Sequence, residues 1–171
     1  MARMFGVLAA SAILLSSPVY ADEFCDGLNK AVADAPKDFA SIRGPADGGD
    51  DERYSKPLML PGSRGIFMNS APCEVLVADR NYTYSCYFPA SPFIADGRNV
   101  VMAFTARVAA CLNVPKPDFD YSAPHDTDRN RSSNRGPFRF PMHGVEVQTG
   151  LMYPPDGGYG TLYLNVSRPS P

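Results

Sequence analysis

Beyond residue 21 the sequence has no long hydrophobic run, because proline or a charged residue interrupts each apolar stretch. A helix needs about 20 apolar residues to cross a hydrocarbon core of about 30 Å, so no membrane span is expected. Cysteine and histidine are scarce, at four and two residues. No two cysteines have the close spacing of a zinc knuckle, and only His125 and His143 stand by to complete such a site, which argues against structural zinc. A surplus of positive charge is missing as well: the chain carries 16 Lys and Arg against 18 Asp and Glu. Nucleic-acid binders usually show a basic excess, so no nucleic-acid partner is expected. There is no internal repeat.

Motifs that would announce a chemistry are also missing. No glycine-rich phosphate loop precedes a helical pattern. Gly62-Ser63-Arg64-Gly65 is one residue short of the Gly-x-Ser-x-Gly nucleophile elbow and reads as a β-turn with Pro61. The acidic string from Asp47 to Glu52 lacks the alternating ligands and distal glutamate of a calcium loop, and reads as solvated polar chain. No cofactor and no metal site are expected.

What is present begins with an export signal. Arg3 is followed by eleven mostly apolar residues, Phe5 to Leu15, then by Ser16, Ser17 and Pro18 ahead of Val19-Tyr20-Ala21. This three-part pattern predicts a signal peptide over residues 1–21, cleaved after Ala21. Cys25 is no lipid-attachment site, because Asp22, Glu23 and Phe24 stand where small residues are required. The mature part loses Arg3, so 15 basic and 18 acidic residues remain, a formal charge of −3. With 8 Tyr and 9 Phe left after Tyr20 and Phe5 depart, residues 22–171 hold enough apolar material for one core and are too short for two ordinary domains. The expected location is periplasmic or secreted.

All four cysteines, Cys25, Cys73, Cys86 and Cys111, lie in the mature part. An even count in an exported chain of this size implies two disulfides. Residues Pro72–Ala78 and Tyr82–Phe88 both alternate around the turn-forming Asp79-Arg80-Asn81. A hairpin whose paired numbers sum to 159 sets Val77 against Tyr82, Val75 against Tyr84 and Cys73 against Cys86, all on one face. Cys73–Cys86 is the first choice, with Cys25–Cys111 following from it. Cys25–Cys73 with Cys86–Cys111 stays open as the other pairing.

Two helical stripes frame that hairpin. Cys25, Leu28, Val32, Ala35, Phe39 and Ile42 recur at steps of three and four. Pro36 within this stripe predicts a kink or two short helices, and Gly44-Pro45 ends it. Gly97, Val101, Phe104, Val108 and Cys111 make the second stripe, stopped by Asn113 and Pro115. Leu58–Leu60 and Gly65–Met68 are expected as short strands around the turn 61–64. A second hairpin, with pairs summing to 313, sets Leu151 against Leu162 and Val147 against Val166 across Pro155-Asp156-Gly157-Gly158. The predicted architecture is α+β: two helices on one face of an antiparallel sheet of about four to five strands, stapled by disulfides, with long loops at 45–56 and 114–141.

For function, these residues point to an exported binding protein without catalysis, of inhibitor or immunity type, meeting a protein partner in the cell envelope. Candidate contacts are Tyr87, which the hairpin register leaves pointing outward, and His125, Asp126, Arg129, Arg131 and Arg135 in the proline- and charge-rich stretch 114–141. A small hydrolase using His125 and His143 for general acid–base work is the alternative class, and a structural envelope component the third. Export is checked by producing the full chain with its leader in a Gram-negative host. The processed protein is expected to begin at Asp22 and to take up no thiol reagent until it is reduced; an intact Met1 or four free thiols overturns the assignment.

Overall fold

The computed structural model describes residues 18–47, 53–54, 56–65, 70–78, 81–90, 94–117, 135–142, 144–152 and 160–168. Helix α1 (Pro18–Asp34) is followed by a 3-10 turn (Ala35–Lys37), strand β1 (Arg53–Tyr54), strand β2 (Cys73–Ala78) and strand β3 (Asn81–Pro89). Helix α2 (Ile94–Leu112) then leads to strands β4 (Arg135–Met142), β5 (Val145–Met152) and β6 (Thr161–Ser167). The six strands form one antiparallel sheet in the order β1-β2-β3-β6-β5-β4. Among the described residues no helix is long and apolar enough to cross a membrane.

Both hairpins adopt the registers that the alternation requires. Cys73 faces Cys86, Val75 faces Tyr84 and Val77 faces Tyr82; Leu151 faces Leu162 and Val147 faces Val166. The period of two sends Val75, Tyr84, Cys86, Val147, Leu151, Leu164 and Val166 to one face, where each is fully buried. The helices close that face. Phe24 of α1 meets Phe88 and Phe104 edge-on at 5.9 and 6.3 Å between ring centres, with Arg107 stacked over it at 4.1 Å. Helix α2 is fixed to β5 by a buried hydroxyl pair, Thr105 Oγ1 and Thr149 Oγ1, 2.9 Å apart. Each hydroxyl satisfies the other, so the pair avoids the penalty of a buried orphan.

Of the expected stripe, Leu28, Ala35, Phe39 and Ile42 are buried, whereas Cys25 and Val32 are half-buried at its flank and Phe24 and Ala31 take their place in the core. Cys25 bridges Cys111 at the end of α2, so its sulfur ties helix to helix instead of filling the core. Pro36 breaks the helix, but neither by a kink nor between two short α-helices: α1 stops at Asp34 and the chain turns through the 3-10 segment, well before Gly44-Pro45. Asp38 and Phe39 then both adopt positive φ, 55° and 56°. Two consecutive left-handed non-glycine residues are unfavourable. The turn is held by Phe39 packing against Tyr84 at 5.9 Å, by Ser41 donating to the buried Asp34 carboxylate at 2.8 Å, and by Arg168 bridging Asp38 and the Pro36 carbonyl.

Two expectations about the periphery change. Among the described residues the sheet has six strands, because β1 forms within the loop assigned to 45–56 and β4 takes residues 135–141 of the loop assigned to 114–141. In β4 the inward alternation of Phe138, Phe140 and Met142 is masked by Pro137 and Pro141, which an edge strand tolerates because one side of it forms no ladder. Leu58–Leu60 forms no strand. Leu60 instead anchors a turn, Ser63 N–H donating to its carbonyl at 3.0 Å, with Pro61 and Gly62 (φ 84°) at the central positions of a type II turn. Of the other proposed strand, Gly65 is irregular and residues 66–68 lie outside the described residues.

The two bridges join this frame covalently. Cys25–Cys111 spans 86 residues and Cys73–Cys86 spans 13. In the chain-entropy account these closures contribute roughly 4–5 and 3 kcal/mol through the unfolded state. Replacing either pair by alanine is expected to cost about 2–5 kcal/mol in urea denaturation. An unchanged midpoint for both double variants would show that packing alone holds the domain.

Candidate functional site

The face of the sheet opposite the helices carries the polar half of the alternation. Three rows cross the central strands in register. Tyr87, Tyr163 and Gly150 form one row over β3, β6 and β5; Ser85, Asn165 and Gln148 form the next; Thr83, Ser167 and Glu146 the third. Together with Leu76, Ala78, Asn81 and Met152, residues of the first two rows and Thr83 line a trough of about 530 Å³. That volume falls within the range of small-ligand sites, roughly 300–1,000 Å³. Among the described residues none of the side chains lining it is charged.

The row of Tyr87, Tyr163 and Gly150 is built by its backbone. Tyr87 is fixed on both sides: its N–H donates to the Pro72 carbonyl at 3.0 Å, and its carbonyl accepts from Arg64 N–H at 2.8 Å. Its hydroxyl reaches over β2 and donates to Glu74 Oε1 at 3.0 Å. Tyr163 leans the opposite way. A Cβ placed on Gly150 would lie 2.3–2.5 Å from the Tyr163 Oη, Cζ and Cε1 atoms, so the ring lies down across the glycine. Only glycine leaves that space at the directly paired position. The two rings therefore spread apart along one row, from β2 to β5, about 14 Å at the usual strand spacing.

Charge is confined to the margins. Arg53 pairs with Glu74 at 3.5 Å at one side, and Arg139 with Glu146 at 3.5 Å at the other, where Gln148 also donates to Glu146. Both arginines are more than half exposed, so these pairs are weak and largely screened. Burial is the main influence on the tyrosines. It pushes the Tyr87 phenol up to about 12, aided by the negative Glu74 that accepts its proton in a hydrogen bond, and opposed by a hydrogen bond from Ser85 and by Arg53. Burial raises Tyr163 too, against the pull of Arg139. Both phenols are neutral donors at physiological pH.

Of the candidates named from the sequence, Tyr87 stands on this face. Arg135 opens β4 at the sheet edge, its backbone paired with Leu151. His125, Asp126, Arg129 and Arg131 lie outside the described residues, as does His143. Among the described residues no group of three or more His, Cys, Asp or Glu side chains gathers to hold a metal. Sequence reasoning missed Tyr163, Asn165 and Gln148. The signal for them was the outward half of the second hairpin, fixed by the same register that placed Leu162 and Leu164 inside. No protein family, no curated protein and no solved structure matches the chain.

The raised phenols predict alkaline instability. The folded state holds the Tyr87 proton more tightly than the unfolded chain, whose ordinary value is 10.0. Stability from this group is therefore complete below about pH 10 and is lost as pH rises from about 10 to about 12. In urea denaturation at a series of pH values, Tyr87→Phe is expected to flatten that decline, with Tyr163 and Tyr84, whose phenols burial also raises, supplying the remainder. An identical slope in the variant would remove Tyr87 from the account.

Proposed function

We propose that the protein is an exported, non-enzymatic binding protein that recognises a macromolecular partner in the cell envelope through the face of its sheet opposite the helices. The observation that carries this reading is the uncharged trough crossed by Tyr87 and Tyr163, with Ser85, Asn165 and Gln148 beside them. Its character is that of recognition: aromatic area, with neutral groups that donate and accept hydrogen bonds. The side chains stand on paired strands of one sheet, a rigid mount that holds their geometry without ordering on contact. The expected leader and the two closed bridges support an oxidising compartment. An inhibitor or immunity role is the form this recognition takes with a protein partner; an envelope polymer is the other form.

The test is capture from an envelope extract by the processed, oxidised protein, set against Tyr163→Ala and Asn165→Ala in one chain. The wild type is expected to retain a partner, whether protein or polymer, that the double variant loses while its circular dichroism and melting stay intact. Equal retention by a folded double variant overturns the assignment of this face.

A further inference from the structure

We propose that the occupant of the trough is an uncharged sugar chain; this rests on the reading of that face as the binding site. The chemistry of the lining selects the ligand class. An anionic or cationic ligand leaves its charge unpaired against these side chains, because among the described residues no charged side chain lines the trough and the flanking Arg53–Glu74 and Arg139–Glu146 pairs neutralise themselves. A purely apolar ligand strands the amides of Asn81 and Asn165, the amide oxygen of Gln148 and the hydroxyl of Thr83, whereas Gln148 N–H already donates to Glu146 and Ser85 already bonds Tyr87. A neutral sugar meets both demands. Its ring hydroxyls donate and accept, as do carboxamides and hydroxyls, and an Asn or Gln amide can engage two neighbouring hydroxyls at once.

The second argument is the shape of the row holding Tyr163. A pyranose presents a face of C–H groups, which carry slight positive charge and pack on the electron-rich face of an aromatic ring. Such packing needs a ring lying parallel to the surface, and the absent side chain at Gly150 is what lets Tyr163 lie that way. Tyr87 extends the row in the other direction, with its hydroxyl turned to Glu74 and away from the centre. The apolar content of the lining besides the two rings is Leu76, Ala78 and Met152, less than the apolar heart that a stable protein interface requires.

The probes are chitohexaose, cellohexaose and maltohexaose, with hexagalacturonate as the acidic comparator, titrated into the processed, oxidised protein. The sequence contains no tryptophan, so the fluorescence reports tyrosine alone. At least one neutral sugar is expected to bind, to perturb that fluorescence and to release heat, with an affinity unchanged in about 0.5 M salt. Tyr163→Ala is expected to weaken binding about tenfold or more. Gly150→Ala, whose new methyl lifts the flexible end of the Tyr163 ring, is expected to weaken it while leaving the fold intact. The proposal is overturned if no neutral sugar binds at about 10 mM, if the acidic sugar binds better and salt abolishes it, or if both variants bind like the wild type. Failure of the sugars while envelope capture still depends on Tyr163 and Asn165 removes the sugar and leaves the face, with a protein as its occupant. Indifference of capture to those residues removes the face itself.

Discussion

The antiparallel pairing of β3 with β6 is the constraint on which the remaining structure depends. It joins Thr83–Pro89 to Thr161–Ser167, residues far apart in the chain, and makes one sheet of two hairpins that each form locally. An isolated hairpin is marginal in water, and two hairpins sharing a buried face are not. The pairing also fixes which residues become neighbours. Tyr84 sits beside Val166 and Cys86 beside Leu164 inside, while Tyr87 sits beside Tyr163 and Ser85 beside Asn165 outside. A slip of one residue would bury the tyrosine–amide set and expose the core, so the proposed binding face and the hydrophobic face are specified by the same register.

The helices and bridges act on one side of this sheet. Helix α2 is tied to β5 through Thr105 and Thr149, and α1 to α2 through Cys25–Cys111. The left-handed step at Asp38 and Phe39 turns the chain so that Phe39 reaches Tyr84, whose hydroxyl in turn donates to the Leu58 carbonyl at 2.7 Å. Among the described residues these contacts leave the other face free of the elements that rigidify it, so the side chains on that face take their geometry from the sheet itself.

Much of this architecture was legible because apolar alternation carries information about the inside. The two registers, the Cys73–Cys86 pairing and the end of α2 at Asn113, with φ 53°, all follow from patterns of a few residues. The periphery was not legible for equally local reasons. Strand β1 has two residues, too few for any period, and β4 hides its alternation behind Pro137 and Pro141. The first stripe departs from the pattern at Cys25 and Val32, since Cys25 serves as a tie at the flank and Phe24 and Ala31 fill the core beside it. The candidate site was legible only at Tyr87. An alternating polar set resembles any solvated surface, and the meaning of Gly150 exists only beside Tyr163, a neighbour supplied by pairing and not by sequence proximity.

A neutral trough on an acidic protein has a kinetic meaning as well as a chemical one. Inhibitor and immunity complexes that must form quickly use opposed fields of charge, which speed encounter and make it sensitive to salt. Among the described residues the margins carry matched pairs and the centre carries none, so these side chains offer little long-range attraction to a charged partner. Such a surface suits a ligand that is abundant and close at hand, for which the rate of encounter is not limiting. Repetition of a weakly held unit along a polymer can then supply retention through many equivalent contacts. The uncharged lining and the flat ring over Gly150 are thus two parts of one account, in which affinity comes from fit and repetition instead of from charge.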